Sequence, residues 1–192
     1  MARLILLDAG VVGLLCSSPF LPTVRACQAW VVAQAGAGAK VLLADLTDFE
    51  VRRELLRIRA TAKLRRLDDL RSNIVPLPVN SPSWRKAAEF WAIVRRAGKP
   101  TASPDALDGD AILAGVAAVI GVPGDEVIVA TTNVGHLGRF PAVDARKWET
   151  FLNRGNSEEV FGKQIASSGG SRYSDYHDRR VALSSSSCNA CR

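Results

Sequence analysis

Asp8, Glu50, Asp110 and Asn133 carry oxygen-bearing side chains at comparable points of the sequence. Asp8 follows the apolar run Leu4–Leu7, Glu50 comes soon after Val41–Leu43, and Asn133 comes just after Val127–Ala130. Asp110 opens an apolar stretch between the last two. If those runs are strands of a parallel sheet, their carboxyl ends share one edge, where α/β proteins bind ligands. Oxygen ligands gathered at that edge suit a hard cation, and a hard cation can activate water against a phosphodiester.

Each residue also has a plainer reading. A carboxylate at the end of a buried strand needs a partner; for Asp8 a metal, a helix N-cap role or a core arginine would each supply one. Thr47-x-x-Glu50 has the spacing of a capping box, in which Glu50 reaches back to the Thr47 amide. Glu54 lies one turn further on and could share the Glu50 face as a weaker ligand, whereas Asp45 and Asp48 read as solvated or capping residues. Asp105, Asp108 and Asp110 crowd one short segment. An aspartate in a first helical turn is favoured by the helix dipole, but crowded carboxylates repel one another unless a cation neutralises them. Asp110, beside the apolar run, is the first ligand candidate and Asp108 the second. Thr131, Thr132 and Asn133 could orient a water, a metal or a phosphate, or merely close a strand with a polar turn. His136 reads as a packing or hydrogen-bonding residue rather than a catalyst.

The elements that must place these groups follow from the apolar pattern. Leu4–Leu7 reads as a first strand, Pro22 opens a helix to about Ala35, and Val41–Ala44 is a second strand. A long basic helix capped by Thr47, broken near Thr61, runs to about Ser72. Ile74–Leu77 is a third strand whose Pro76 puts it at an edge or a strand end. Ser81 is the expected N-cap of a helix that stops at Gly98, with Trp84, Ala87, Ala88 and Trp91 as its apolar stripe. After a Gly98–Pro104 loop, Leu107–Ile120 is a small-residue helix, Val127–Thr131 a fourth strand, and Asp144 caps a last helix through Leu152. This alternation predicts an α/β fold, a three-layer α/β/α sandwich with a mainly parallel central sheet.

The 192 residues suffice for one domain with a full core, and the pattern places it at 1–152. Segment 153–192 is rich in Ser and Gly without a sustained apolar pattern and reads as a disordered tail. Its Cys188-x-x-Cys191 pair lacks two further ligands for a structural zinc site, and Cys16 and Cys27 read as reduced packing residues. Asp8 interrupts the apolar start, which argues against a signal peptide, and no run reaches the roughly 18 apolar residues of a membrane helix. The expectation is a cytoplasmic protein with no membrane partner. The net charge of +6 suits a polyanionic partner. Aromatic residues are few and read as core residues, so base stacking gives little hint of a sequence preference.

Four ordered stretches carry a family resemblance: Leu6-Leu7-Asp8-Ala9, Phe49-Glu50-Val51-Arg52-Arg53-Glu54-Leu55, Leu107-Asp108-Gly109-Asp110-Ala111-Ile112-Leu113-Ala114, and Ala130-Thr131-Thr132-Asn133-Val134-Gly135-His136-Leu137. Over roughly Ala2 to Leu152 the chain resembles PIN-domain proteins, the fold of VapC-type toxins and related metal-dependent ribonucleases. The resemblance implies hydrolysis of RNA phosphodiester bonds with Mg²⁺ or Mn²⁺. Asp8, Glu50 and Asp110 match the three carboxylate positions, Thr131 the hydroxyl position, and Asn133 the fourth, often acidic position. Asn133 therefore takes one negative charge out of the site and weakens the seat of a second ion. Asp8 and Asp110 would hold the ion, Glu50 would bind and help deprotonate a water beside it, and Thr131 and Asn133 would position water or phosphate. Arg52, Arg53, Arg57, Arg59, Lys63, Arg65 and Arg66 could guide the RNA backbone. The partners implied are RNA, a small antitoxin protein if the chain is a type II toxin, and a second copy in a homodimer. The rival readings are a non-catalytic PIN module binding RNA or protein, and a receiver-like phosphoryl-transfer domain. The latter lacks its lysine and a glycine-rich phosphate loop.

Overall fold

Leu4, Ile5, Leu6 and Leu7 are all buried, yet they serve two different cores. The computed structural model describes residues 1–98 and 104–153. In it Arg3–Leu7 forms β1, and alternate side chains leave opposite faces of the strand. Leu4 and Leu6 join one apolar cluster, Ile5 and Leu7 the other. A strand covered on both faces must be apolar throughout, which is why the run shows no polar alternation.

β2 (Lys40–Ala44), β3 (Val75–Leu77), β4 (Glu126–Thr131) and β5 (Ala145–Lys147) complete one sheet. Its order is β3-β2-β1-β4-β5, and every pairing is parallel. One face is covered by α1 (Ala9–Leu15), α2 (Pro22–Gly36), α3 (Asp45–Arg57) and α4 (Thr61–Asn73), the source of Val12, Trp30, Leu55 and Leu67. The other is covered by α5 (Ser81–Arg96), α6 (Pro104–Ile120) and α7 (Val134–Leu137), through Phe90, Ala114 and Leu137. The architecture is the expected α/β one: an all-parallel central sheet with helices on both faces. Met1–Leu152 forms one compact unit. The segment 154–192, with Cys188 and Cys191, and the loop residues 99–103 lie outside the described residues. Among the described residues no helix is long and apolar enough to cross a membrane.

Several local expectations are corrected. α3 begins at Asp45, directly after Ala44, with no side-chain cap. Thr47 therefore sits inside the helix, buried, and donates its hydroxyl to the Leu7 carbonyl at 3.2 Å instead of forming a capping box with Glu50. Asp48 is buried rather than solvated, held by two 3.0 Å bonds from Arg52. Asn80, not Ser81, caps α5, because its extended backbone lets its side chain accept from Ser83 N at 3.0 Å. Residues 9–15 form a helix that the apolar start concealed, and 145–147 form an edge strand where a helix was expected. A 3-10 helix, Trp148–Asn153, follows that strand.

The apolar stripe of α5 also differs from expectation. Ser83, Ala87, Phe90 and Val94 are the buried face, while Trp84 and Trp91 are 51% and 38% exposed. The cause is a close helix crossing. A Cβ on Gly115 of α6 would lie 2.6 Å from the Ser83 carbonyl oxygen and 2.7 Å from Ala87 N. Backbones that near leave no room for an indole between them, so both tryptophans are turned to the side. Cys16 and Cys27 are buried free thiols, as expected, and burial pushes them up to about 11 and about 12.

Candidate functional site

The strand order reverses direction at β1, between β2 and β4, so a crevice opens at the carboxyl ends of β1 and β4. Asp8 and Thr131 stand there as the residues ending those strands. Asp8 N donates to the Ala130 carbonyl at 3.0 Å and continues the ladder by one bond. Its backbone then turns into α1, and its Oδ1 accepts from Ala9 N at 2.7 Å, so the N-cap reading of Asp8 holds locally. Oδ2 is a separate matter. It accepts from the Thr131 hydroxyl at 2.7 Å, and Thr131 Oγ1 in turn accepts from Asn133 N at 2.9 Å. Because Thr131 already receives a proton from the backbone, its own hydrogen is committed to Asp8. The buried threonine thus fixes the orientation of the aspartate.

Glu50 reaches the same crevice from α3. A Cβ on Gly109 would run into Glu50 Oε1, so the carboxylate lies against α6 beside Asp110. Burial raises the Glu50 carboxyl above its ordinary range, the Asp8 charge adds to the rise, Arg53 opposes it and Asp110 adds a smaller rise. Asp110 is raised for the same first reason, burial, with His136 opposing and Asp8 adding. Two carboxyls pushed up by burial and by a third carboxylate are a site with excess negative charge and too little water.

Asp110 shows the consequence. Its Oδ2 is shielded from solvent and has no hydrogen-bond partner among the described residues. His136 Nδ1 is 3.5 Å from it, close enough for charge but too long for a good hydrogen bond. An oxygen in this condition is costly unless a proton or a cation arrives. Among the described residues no group of three His, Cys, Asp or Glu is already arranged as a metal cage. The donor set nevertheless fits a hard divalent ion: carboxylate oxygens only, mutually repelling, with one oxygen lacking a partner.

The remaining candidates divide. Asn133 is adjacent, but its side-chain oxygen accepts from Gly135 N at 3.1 Å and caps α7, which is the polar-turn reading. Asp108 is exposed and lines a different cleft, with Trp84 and Ala111. Glu54 is exposed and bonded to Arg57, so it does not share the Glu50 site. The basic strip is partly engaged within the fold: Arg52 pairs with Asp48 and Asp68, Arg57 with Glu54, and Arg66 donates to the Cys16 carbonyl. Arg53 instead lies 5.4 Å over the Phe49 ring. His136, read as a packing or hydrogen-bonding residue, faces Asp110. Only the approach of α7 to α6 places it there, and no local pattern announces that approach.

No family model matches the sequence, and no curated protein matches it. Solved structures do match. VapBC2 from Rickettsia felis, bound to a DNA fragment from its promoter, aligns with a TM-score of 0.58 at 9% identity, over 76% of this chain and 98% of that one. FitAcB from Neisseria gonorrhoeae aligns with a TM-score of 0.55 at 19% identity, over 76% and 98%. DNA-bound VapBC from Salmonella typhimurium aligns with a TM-score of 0.56 at 17% identity, over 77% and 99%. At these identities the likeness is one of fold, and it spans nearly the whole of each matched chain.

Proposed function

We propose that this chain is a Mg²⁺- or Mn²⁺-dependent endoribonuclease that hydrolyses internal RNA phosphodiester bonds, and that it acts as the toxin of a toxin–antitoxin pair. What supports the reading most is the neighbourhood of three carboxylates: Glu50 lies against Gly109, next to Asp110 in the chain, and the Asp8 charge reaches both. Glu50 and Asp110 are raised by burial and by the Asp8 charge. The PIN-like sheet and the VapBC and FitAcB neighbours support the pairing with an antitoxin. The carboxylate cluster favours the nuclease over its protein inhibitor as the identity of this chain.

Asp8 and Asp110 would hold the divalent ion, with Glu50 at its edge. Bound there, the ion would lower the pKa of water and offset charge growing on the phosphate. Thr131 keeps Asp8 Oδ2 pointed into the crevice, so the ligand needs no reordering. Glu50, whose proton affinity is raised, is suited to take the proton of an attacking water. His136 Nδ1 sits 3.5 Å from Asp110 Oδ2.

The test is a cleavage assay of purified protein on mixed RNAs with Mn²⁺, Mg²⁺ or EDTA, beside Asp8→Asn. Internal cuts that need the divalent ion and vanish in Asp8→Asn are expected. RNA that is retained but never cut would favour the second reading, a non-catalytic PIN module. That reading draws on the Asn133 oxygen being spent on a helix cap. Growth arrest on expression, relieved by a co-expressed small partner, tests the toxin assignment.

A further inference from the structure

Single exposed apolar residues are ordinary on protein surfaces, but a pair of tryptophans bordering one cleft is not. Trp84 and Trp91 are seven residues apart on α5, two helical turns, and both border a shallow, open cleft between α5 and α6. Ala87, Ala88, Ala111 and Ile112 line it, and Asp108 borders it from α6. Arg95 lies with its guanidinium 5.0 Å from the Trp91 ring centre. Its Nε is shielded from solvent and has no acceptor among the described residues. Among the described residues Arg85 and Arg96 on the same helix also have no acidic partner, while Lys86 pairs with Glu89.

We propose that this cleft is a nucleobase subsite, in which Trp84 and Trp91 stack unpaired bases of single-stranded RNA while Arg95 takes an adjacent phosphate. Flat apolar walls with a cationic edge are the chemistry by which proteins hold single strands irrespective of sequence. Asp108 offers a carboxylate to the amino edge of a base. Asp108 lies two residues before Asp110 on α6, so the cleft and the carboxylate crevice lie on different sides of one helix. A second copy of this chain fits less well, because a two-fold contact through α5 would bring the arginines of one copy, Arg85, Arg95 and Arg96, toward those of the other. The assignment deepens the nuclease reading and rests on it for its substrate, but its test reads binding alone.

The chain has four tryptophans, and Trp30 and Trp148 are buried, so fluorescence quenching by a base reports Trp84 and Trp91. The titration uses full-length Asp8→Asn protein in EDTA, with a short oligoadenylate and a matched RNA duplex as probes. Quenching by the single strand and little by the duplex is expected. Trp84→Ala and Trp91→Ala should each weaken single-strand binding about 5- to 150-fold, with Trp84→Tyr and Trp91→Tyr restoring most of it. Unchanged affinity in both alanine variants, with their circular dichroism intact, overturns the proposal. So does quenching by the duplex as strong as by the single strand. Sedimentation in which either alanine variant turns a dimer into a monomer also overturns it, and assigns the cleft to a contact between copies. Cleavage failure with intact stacking would sink the nuclease reading and leave the subsite standing.

Discussion

Gly109→Ala separates the carboxylate site from the fold that carries it. Gly109 lies within α6, and the added methyl meets only the end of the Glu50 side chain. Alanine is favoured over glycine in a helix interior by about 1 kcal/mol. In a domain of this size that gain corresponds to a rise in Tm of roughly 2–4 °C. Glu50 is flexible enough to swing away, so the fold loses little of the gain. The site loses more: with Glu50 displaced, its proton-accepting role goes, which is worth about 100- to 10,000-fold in kcat. The assay is thermal melting beside RNA cleavage for Gly109→Ala, Glu50→Ala and the double variant. Glu50→Gln serves as control and should keep wild-type stability, because no capping box exists to lose. If both single changes act through one carboxylate, the double variant is no slower than Glu50→Ala alone. Full cleavage by Gly109→Ala, or a double variant slower than either single one, would refute the reasoning.

Three further outcomes follow from the same geometry. Asp110→Asn removes a buried charge with an unpartnered oxygen and relieves repulsion from Asp8, so Tm in EDTA should hold or rise by about 2 °C while cleavage is lost; a Tm drop would contradict this. Glu50 and Asp110 lie above their ordinary values of 4.5 and 3.8, so the folded chain holds protons that the unfolded chain has released. Their contribution to stability is full below those values and is lost as pH rises through the raised ones. Melting in EDTA across that range should show the loss, and Mn²⁺ at about 100 times its Kd should add about 2.7 kcal/mol at the upper end. Gly115→Ala places a methyl against the backbone of α5 and should cost about 1–3 kcal/mol in urea unfolding; a neutral result would mean α5 can move away freely.

How far the sequence speaks depends on the range of the interaction. β1, β2 and β4 are uninterrupted apolar runs with both faces covered, so composition alone marks them. Asp8 and Thr131 end neighbouring strands, and the alternation of elements suffices to bring them to one edge. β5 is three residues, Ala145–Lys147, and exists only because β4 offers it an edge. The Thr47 cap fails for a similar reason: the helix starts three residues earlier, and the hydroxyl finds the Leu7 carbonyl, forty residues away in the chain. Trp84 and Trp91 have the spacing of a buried stripe, and only the glycine on another helix turns them out. His136 and Gly109 matter through α6, which no local pattern reveals.

The first strand of this domain occupies the middle of the sheet, and the aspartate that follows it leans on a threonine 123 residues later. A nascent chain that has emerged as far as α6 already carries Asp8, Glu50 and Asp110, but Asp8 has no neighbour on its β4 side. Whatever chemistry this crevice performs is therefore born late, after nearly the whole domain has left the tunnel. Two fragments divided between α6 and β4 should each be inert and should regain function only on being mixed.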